Sequence, residues 1–149
     1  MTDFHGIWLN NSSSQGIPEL RQSISGWYED NYAVQVSTKE IMIFSEAVHA
    51  LYCALLAVLN SGNKVIIPEP FWPQYGDILS LSGASVKKID TSSSEGRLTS
   101  TGYEKAISDR SKVLIINNPS NPSGLVHSQK EMEQFIEIAH KRNIFYFSG

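Results

Sequence analysis

The sequence predicts an α/β domain, a mostly parallel sheet with helices on both faces in a three-layer αβα arrangement. Two runs, Lys64-Val65-Ile66-Ile67-Pro68 and Val113-Leu114-Ile115-Ile116-Asn117, have the length and aliphatic content of strands buried on both sides. Segments with helical apolar spacing separate such runs, and strand-helix alternation of this kind is the signature of parallel crossover units. Dense turn formers, Asn60-Ser61-Gly62-Asn63 and Asn118 to Gly124, punctuate the alternation.

Taken in order, residues 1–15 end in the polar run Asn10-Asn11-Ser12-Ser13-Ser14-Gln15 and read as a loop or arm, so the domain is expected to span 16–149. Pro18 suits the first turn of a helix, and Leu20, Ile24, Trp27 and Tyr28 recur at helical spacing to about Asn31. Ile41-Met42-Ile43-Phe44 reads as a strand, with Ser45 as the N-cap of the next helix. That helix, Ala47 to Leu59, has no polar face and is expected to be buried all round. After the strand at Lys64 comes a helix that follows Pro73 and ends near Gly83, and then a strand from Ala84 to Ile89. Residues 91–97 read as a polar loop, Leu98 to Ile107 as a helix, and Asn118 to Gly124 as a loop. Ser128 and Glu131 form a capping box for a helix carrying Met132, Phe135, Ile136 and Ala139, and Ile144 to Phe147 reads as the last strand.

The 149 residues, 41% hydrophobic and 18% charged with a formal charge of -3, exclude long disorder and give no basic surface for nucleic acid. The lone Cys53 has no partner for an internal disulfide, zinc or redox pair, which fits a reducing compartment. With no basic leader and no apolar run of about 18 residues, the expectation is a cytoplasmic protein away from membranes.

Ligands of parallel sheets bind beyond the carboxyl ends of the strands, here Ser45-Glu46, Pro68 to Trp72, Asn117 to Gly124 and Ser148-Gly149. Neither G-x-G-x-x-G nor G-x-S-x-G is present. Glu46 and His49 have the spacing of a carboxylate-histidine metal pair, but no second such pair faces them, and no metal is expected. The helix start at Ala47-Val48 offers free backbone N–H groups and a helix dipole, which suits a phosphate or simply a capped helix. Glu46 counts against phosphate by its charge. Trp72, flanked by Phe71, Pro73 and Tyr75, offers a flat ring to a flat ligand or packs in a core, and the amides of Asn117, Asn118 and Asn121 serve a ligand or a turn.

The order of these motifs resembles the large domain of the class I/II aminotransferases, the fold-type I pyridoxal-phosphate enzymes. The resemblance runs from Gly16-Ile17-Pro18-Glu19-Leu20-Arg21, through Ala47 to Leu51, Gly62 to Pro68 and Pro70 to Tyr75, to Asn117 through Gly124. It implies pyridoxal 5'-phosphate as cofactor, with the Ala47 and Val48 N–H groups on its phosphate, Trp72 stacked on the pyridine ring and Asn121 on the phenolic oxygen. It also implies an amino acid and a 2-oxo acid as substrates, a place in amino-acid metabolism, a homodimer when complete, and X-Pro bonds at Glu69-Pro70 and Asn121-Pro122 that are often cis.

Two positions depart from the family. Asn11 stands where the family has a tyrosine, and Glu46 where it has a glycine. The pyridinium aspartate would follow Ser148, at Gly149, and the Schiff-base lysine and small domain would lie beyond it, so no catalytic residue is assigned within 1–149. The resemblance therefore implies part of an aminotransferase large domain, expected to be inactive as this chain. The alternatives are a non-catalytic binding or interaction module, or part of a related pyridoxal-phosphate lyase or decarboxylase.

Overall fold

A computed structural model describes residues 13–148, so Asn11 and Gly149 lie outside the described residues. The chain forms two compact units that meet in sequence between Leu51 and Tyr52.

In the first unit, helix α1 spans Pro18–Tyr32, starting at the proline as expected. It stops because Ala33 turns left-handed (φ 53°), letting the Ala33 and Val34 N–H groups close back on the carbonyls of Glu29 and Tyr28. Gly16 is required by its backbone: φ is +91°, and a Cβ there would stand 2.5 Å from the Cβ of Ile43. Arg21 Nη1 donates to Gln15 Oε1 (3.1 Å) and to the Thr38 carbonyl (2.8 Å), holding the helix to the segment that follows. A 3-10 turn at Thr38–Glu40 carries a capping box between Ser37 and Glu40.

The expected strand at Ile41 to Phe44 does not form. The segment is non-helical and unladdered, and its Ile43 N–H donates to the Gln15 carbonyl (3.0 Å). A strand needs a neighbour offering a row of backbone groups, and four apolar residues do not supply one. Helix α2 spans Ala47–Val58, so Ser45 lies two residues before its start and does not cap it. Nor is α2 buried all round, since Leu55 is its only buried residue and Leu56 is 44% exposed. An apolar composition permits burial on every face, but burial itself needs partner surface on every face.

The second unit contains a four-stranded, all-parallel sheet of order β2-β1-β3-β4, formed by β1 (Lys64–Glu69), β2 (Ser85–Asp90), β3 (Ser111–Ile116) and β4 (Phe145–Ser148). Helices α3 (Gln74–Leu81), α4 (Ser100–Ala106) and α5 (Gln129–Lys141) connect the strands. The central strands are sealed on both faces, with Val65, Ile66 and Ile67 and Val113 through Ile116 at 2% exposure or less. One face forms a core of Ile66, Leu114 and Ile116 with Leu98, Tyr103 and Phe135. Helix α4 starts two residues later than its apolar spacing suggested, because the Thr99 side chain accepts the Gly102 N–H and fixes the first turn. The expected polar loop at 91–97 holds a 3-10 turn, Ser92–Ser94, and the expected Ser128–Glu131 capping box is present at α5. Among the described residues no helix is long and apolar enough to cross a membrane.

Candidate functional site

A parallel sheet directs its strand carboxyl ends to one side, and β1 and β3 are neighbours, so the segments after them converge. The shallow depression they form is lined by Phe71 and Tyr75 after β1, Asn117, Ser120 and Asn121 after β3, and His127.

Trp72 ends the segment after β1 and is half-buried, its ring at 89° to that of Tyr75 with centroids 5.4 Å apart. Phe71 beside it carries Lys88 Nζ 5.3 Å above its ring, and Lys88 also pairs with Glu69 at 3.0 Å. The buried Thr91 hydroxyl donates to the Glu69 carbonyl and so fixes the exit of β1. The peptide bonds Glu69-Pro70 and Asn121-Pro122 are cis, and so is Asn118-Pro119.

The loop after β3 is built by its own hydrogen bonds. Gly124, at φ +70°, sends its N–H to the Ser120 carbonyl (2.7 Å), and the Ser120 N–H reaches the Leu125 carbonyl (2.8 Å). The Asn118 amide is held at both ends by backbone: Oδ1 accepts the His127 N–H (2.8 Å) and Nδ2 donates to the His127 carbonyl (3.2 Å). Asn117 Oδ1 accepts the Tyr75 hydroxyl at 2.5 Å. Asn121 is exposed on this loop, and no hydrogen bond among the described residues engages its side chain. Of the three asparagines singled out in the sequence, two therefore serve the scaffold, and Asn121 keeps a free amide at the depression.

Two groups here had no role assigned from the sequence. Tyr75 is buried, and burial pushes its hydroxyl above the ordinary tyrosine range, with the Asn117 bond working the other way. His127 is buried with its ring on Phe135, and its Nδ1 lies 3.7 Å from Glu131 Oε1. Burial holds His127 below its usual pKa, aided by the Arg97 charge and opposed by Glu131. Tyr75 stood in the sequence as a neighbour of Trp72 and the last residue of the Pro70 to Tyr75 motif, with no role of its own, and a lone histidine before a capping box gives no signal at all.

Ala47 and Val48 are the first two residues of α2 and lie in the first unit. The Ala50 N–H is bonded to the Glu46 carbonyl, leaving the N–H groups ahead of it free of intrahelical partners. Glu46 itself is exposed. Within the second unit, an aromatic ring at Trp72 and the free amide of Asn121 are groups that suit a flat, polar ring; in the first unit, the unpaired N–H groups at the start of α2 suit an anion.

The architecture defines a three-layer α/β domain whose sheet superposes on solved aminotransferases. A mutant of Thermus thermophilus aspartate aminotransferase matches with a TM-score of 0.87 at 27% identity, over 92% of this chain and 36% of the other. The aromatic aminotransferase of Pyrococcus horikoshii matches with a TM-score of 0.87 at 28% identity, over 93% of this chain and 38% of the other. The family model for class I and II aminotransferases covers residues 5–148, and the chain belongs to that family. Among curated relatives, aspartate aminotransferase of Bacillus sp. strain YM-2 and asparagine–oxo-acid transaminase of Streptococcus mutans are each 35% identical over 136 residues, 91% of this chain. The chain spans 35% of the length of each of those two relatives.

Proposed function

We propose that this chain forms part of the pyridoxal-phosphate-binding domain of a cytoplasmic aminotransferase that moves an amino group between an amino acid and a 2-oxo acid. The observation that carries the reading is that Trp72 and Asn121 follow the carboxyl ends of the adjacent strands β1 and β3 in a member of this family, with Asn121 lining the depression. When bound, pyridoxal phosphate supplies an electron sink for chemistry at the α-carbon of an amino acid. In this reading Trp72 takes the ring by stacking, Asn121 orients it through its phenolic oxygen, and the Ala47 and Val48 N–H groups take the phosphate. The complete enzyme is proposed to work as a homodimer, as is general for the relatives' class.

Equilibrium titration with pyridoxamine phosphate tests the reading. Trp72→Ala and Asn121→Ala should each weaken binding about tenfold, the worth of a stacking ring or a charge-assisted hydrogen bond. Unchanged affinity in both variants would overturn the assignment. Glu46→Gly sharpens the test, because like charges about 4 Å apart in water repel by about 1 kcal/mol while a helix terminus returns only about 0.3–1 kcal/mol. The glycine variant should bind more tightly, and more so at low salt; equal or weaker binding would mean that the phosphate sits elsewhere. No lysine lines the depression, so borohydride treatment with pyridoxal phosphate should fix the label on no single lysine of this chain.

A further inference from the structure

We propose that Tyr75 is a positioning residue that sets the plane of Trp72 by anchoring it to the neighbouring strand. The proposal rests on the reading of Trp72 as the stacking ring, and it draws on three contacts of one residue. The Tyr75 N–H donates to the Trp72 carbonyl at 3.1 Å, so the two residues share the tight turn that opens α3. The Tyr75 ring meets the Trp72 ring at 89° and 5.4 Å, which fixes one ring against the other by edge contact. The Tyr75 hydroxyl then donates to Asn117 Oδ1, 42 residues away at the end of β3. Trp72 is thus coupled to both strand ends that line the depression.

The chemistry of the anchor suits a constant orientation. Tyr75 is 7% exposed, so its hydroxyl bond is shielded from competing water. Burial favours the neutral phenol, which keeps its proton and remains a donor throughout the physiological range. Asn118, next in sequence, is locked to the backbone of His127, so Asn117 sits on a segment that is itself braced. A half-buried tryptophan without such an anchor has several rotamers open to it, and a stacking platform has to hold one.

The test uses a chain with Trp8→Phe and Trp27→Phe, leaving Trp72 as the sole tryptophan. Without ligand, Tyr75→Phe should lower the Trp72 fluorescence anisotropy and raise its quenching by acrylamide, while far-ultraviolet circular dichroism stays the same. Asn117→Ala should do likewise, the double variant should do no more than either single one, and Asn117→Asp, which keeps the acceptor, should retain the parent signal. Pyridoxamine phosphate affinity should fall about fivefold in Tyr75→Phe, the value of one buried hydrogen bond. An unchanged Trp72 signal in Tyr75→Phe, or in Asn117→Ala should the first variant fail to fold, would overturn the proposal. Absence of binding by the parent chain would instead overturn the cofactor reading, leaving the ligand-free signal to decide the role of Tyr75.

Discussion

Helices α1 and α5 carry nearly the same apolar pattern and meet different fates. Leu20, Ile24, Trp27 and Tyr28 on α1 recur at helical spacing, as do Met132, Phe135, Ile136 and Ala139 on α5. Yet α1 has no buried residue, while α5 seals Phe135 and Ala139 at 1% and 2% exposure. The α1 aromatics cover one another instead: Trp27 meets Tyr28 and Tyr32 edge-on, each at 5.3 Å. Periodicity therefore states which side of a helix could be buried, and only surface brought up from elsewhere in the chain turns that into stabilisation.

The largest expected effect that tests this difference is at Phe135, whose truncation opens a cavity against Leu98, Tyr103 and Leu114. Phe135→Ala should cost about 3–5 kcal/mol in denaturant titration of the second unit. A loss below about 1 kcal/mol, typical of exposed sites, would put α5 on a par with α1.

In the same core, Tyr103 is fully buried and its hydroxyl has no partner among the described residues. Burial pushes that hydroxyl far above the ordinary tyrosine range. Tyr103→Phe keeps the packing and removes the unpaired donor, so it should raise stability by about 1 kcal/mol, and a destabilised variant would reveal a hidden partner.

The pH dependence should separate His127 from the exposed groups. Its folded pKa lies below that of the unfolded chain, so in this range the unfolded state binds more protons and stability rises with pH. The contribution is complete above about pH 6.5, the unfolded value, and is lost as pH falls through the folded one. Glu131, lowered by its bonds to Ser128, contributes stability that is lost only at more acid pH, as the carboxylate is protonated. Chemical denaturation at a series of pH values should show a decline just below pH 6.5 that His127→Gln abolishes; a decline that survives this substitution belongs to another group.

The smallest effect is expected at α1. Trp27 is 51% exposed, so Trp27→Ser should change stability by no more than about 0.5 kcal/mol beyond the loss of its ring contacts. A change as large as that of Phe135→Ala would mean that the aromatic cluster supports the first unit as a core does.

Much of the second unit was legible from local chemistry. The runs at Lys64 and Val113 are aliphatic without alternation, as strands sealed on both faces must be, and Ser128 with Glu131 marks a helix start through hydrogen bonds three residues apart. Trp72 stood out as a flat ring beside Phe71, Pro73 and Tyr75, whereas Asn121 was one of three equivalent asparagines until the family resemblance singled it out. The first unit and helix α2, which crosses its boundary in sequence, were less legible. Ile41 to Phe44 has the composition of a strand and no ladder, and α2 has the composition of a buried helix with much of its surface open.

Local propensity, turn chemistry and capping act over a few residues, so the order of the elements and their alternation could be read from the amino acids alone. The strand order β2-β1-β3-β4, the bond from Tyr75 to Asn117 and the burial of His127 each join residues that the chain holds apart until the sheet assembles. Which Asn at the end of β3 stays free is settled the same way. Their composition is equivalent, and the difference between Asn117, Asn118 and Asn121 lies in what the folded chain places within hydrogen-bonding reach.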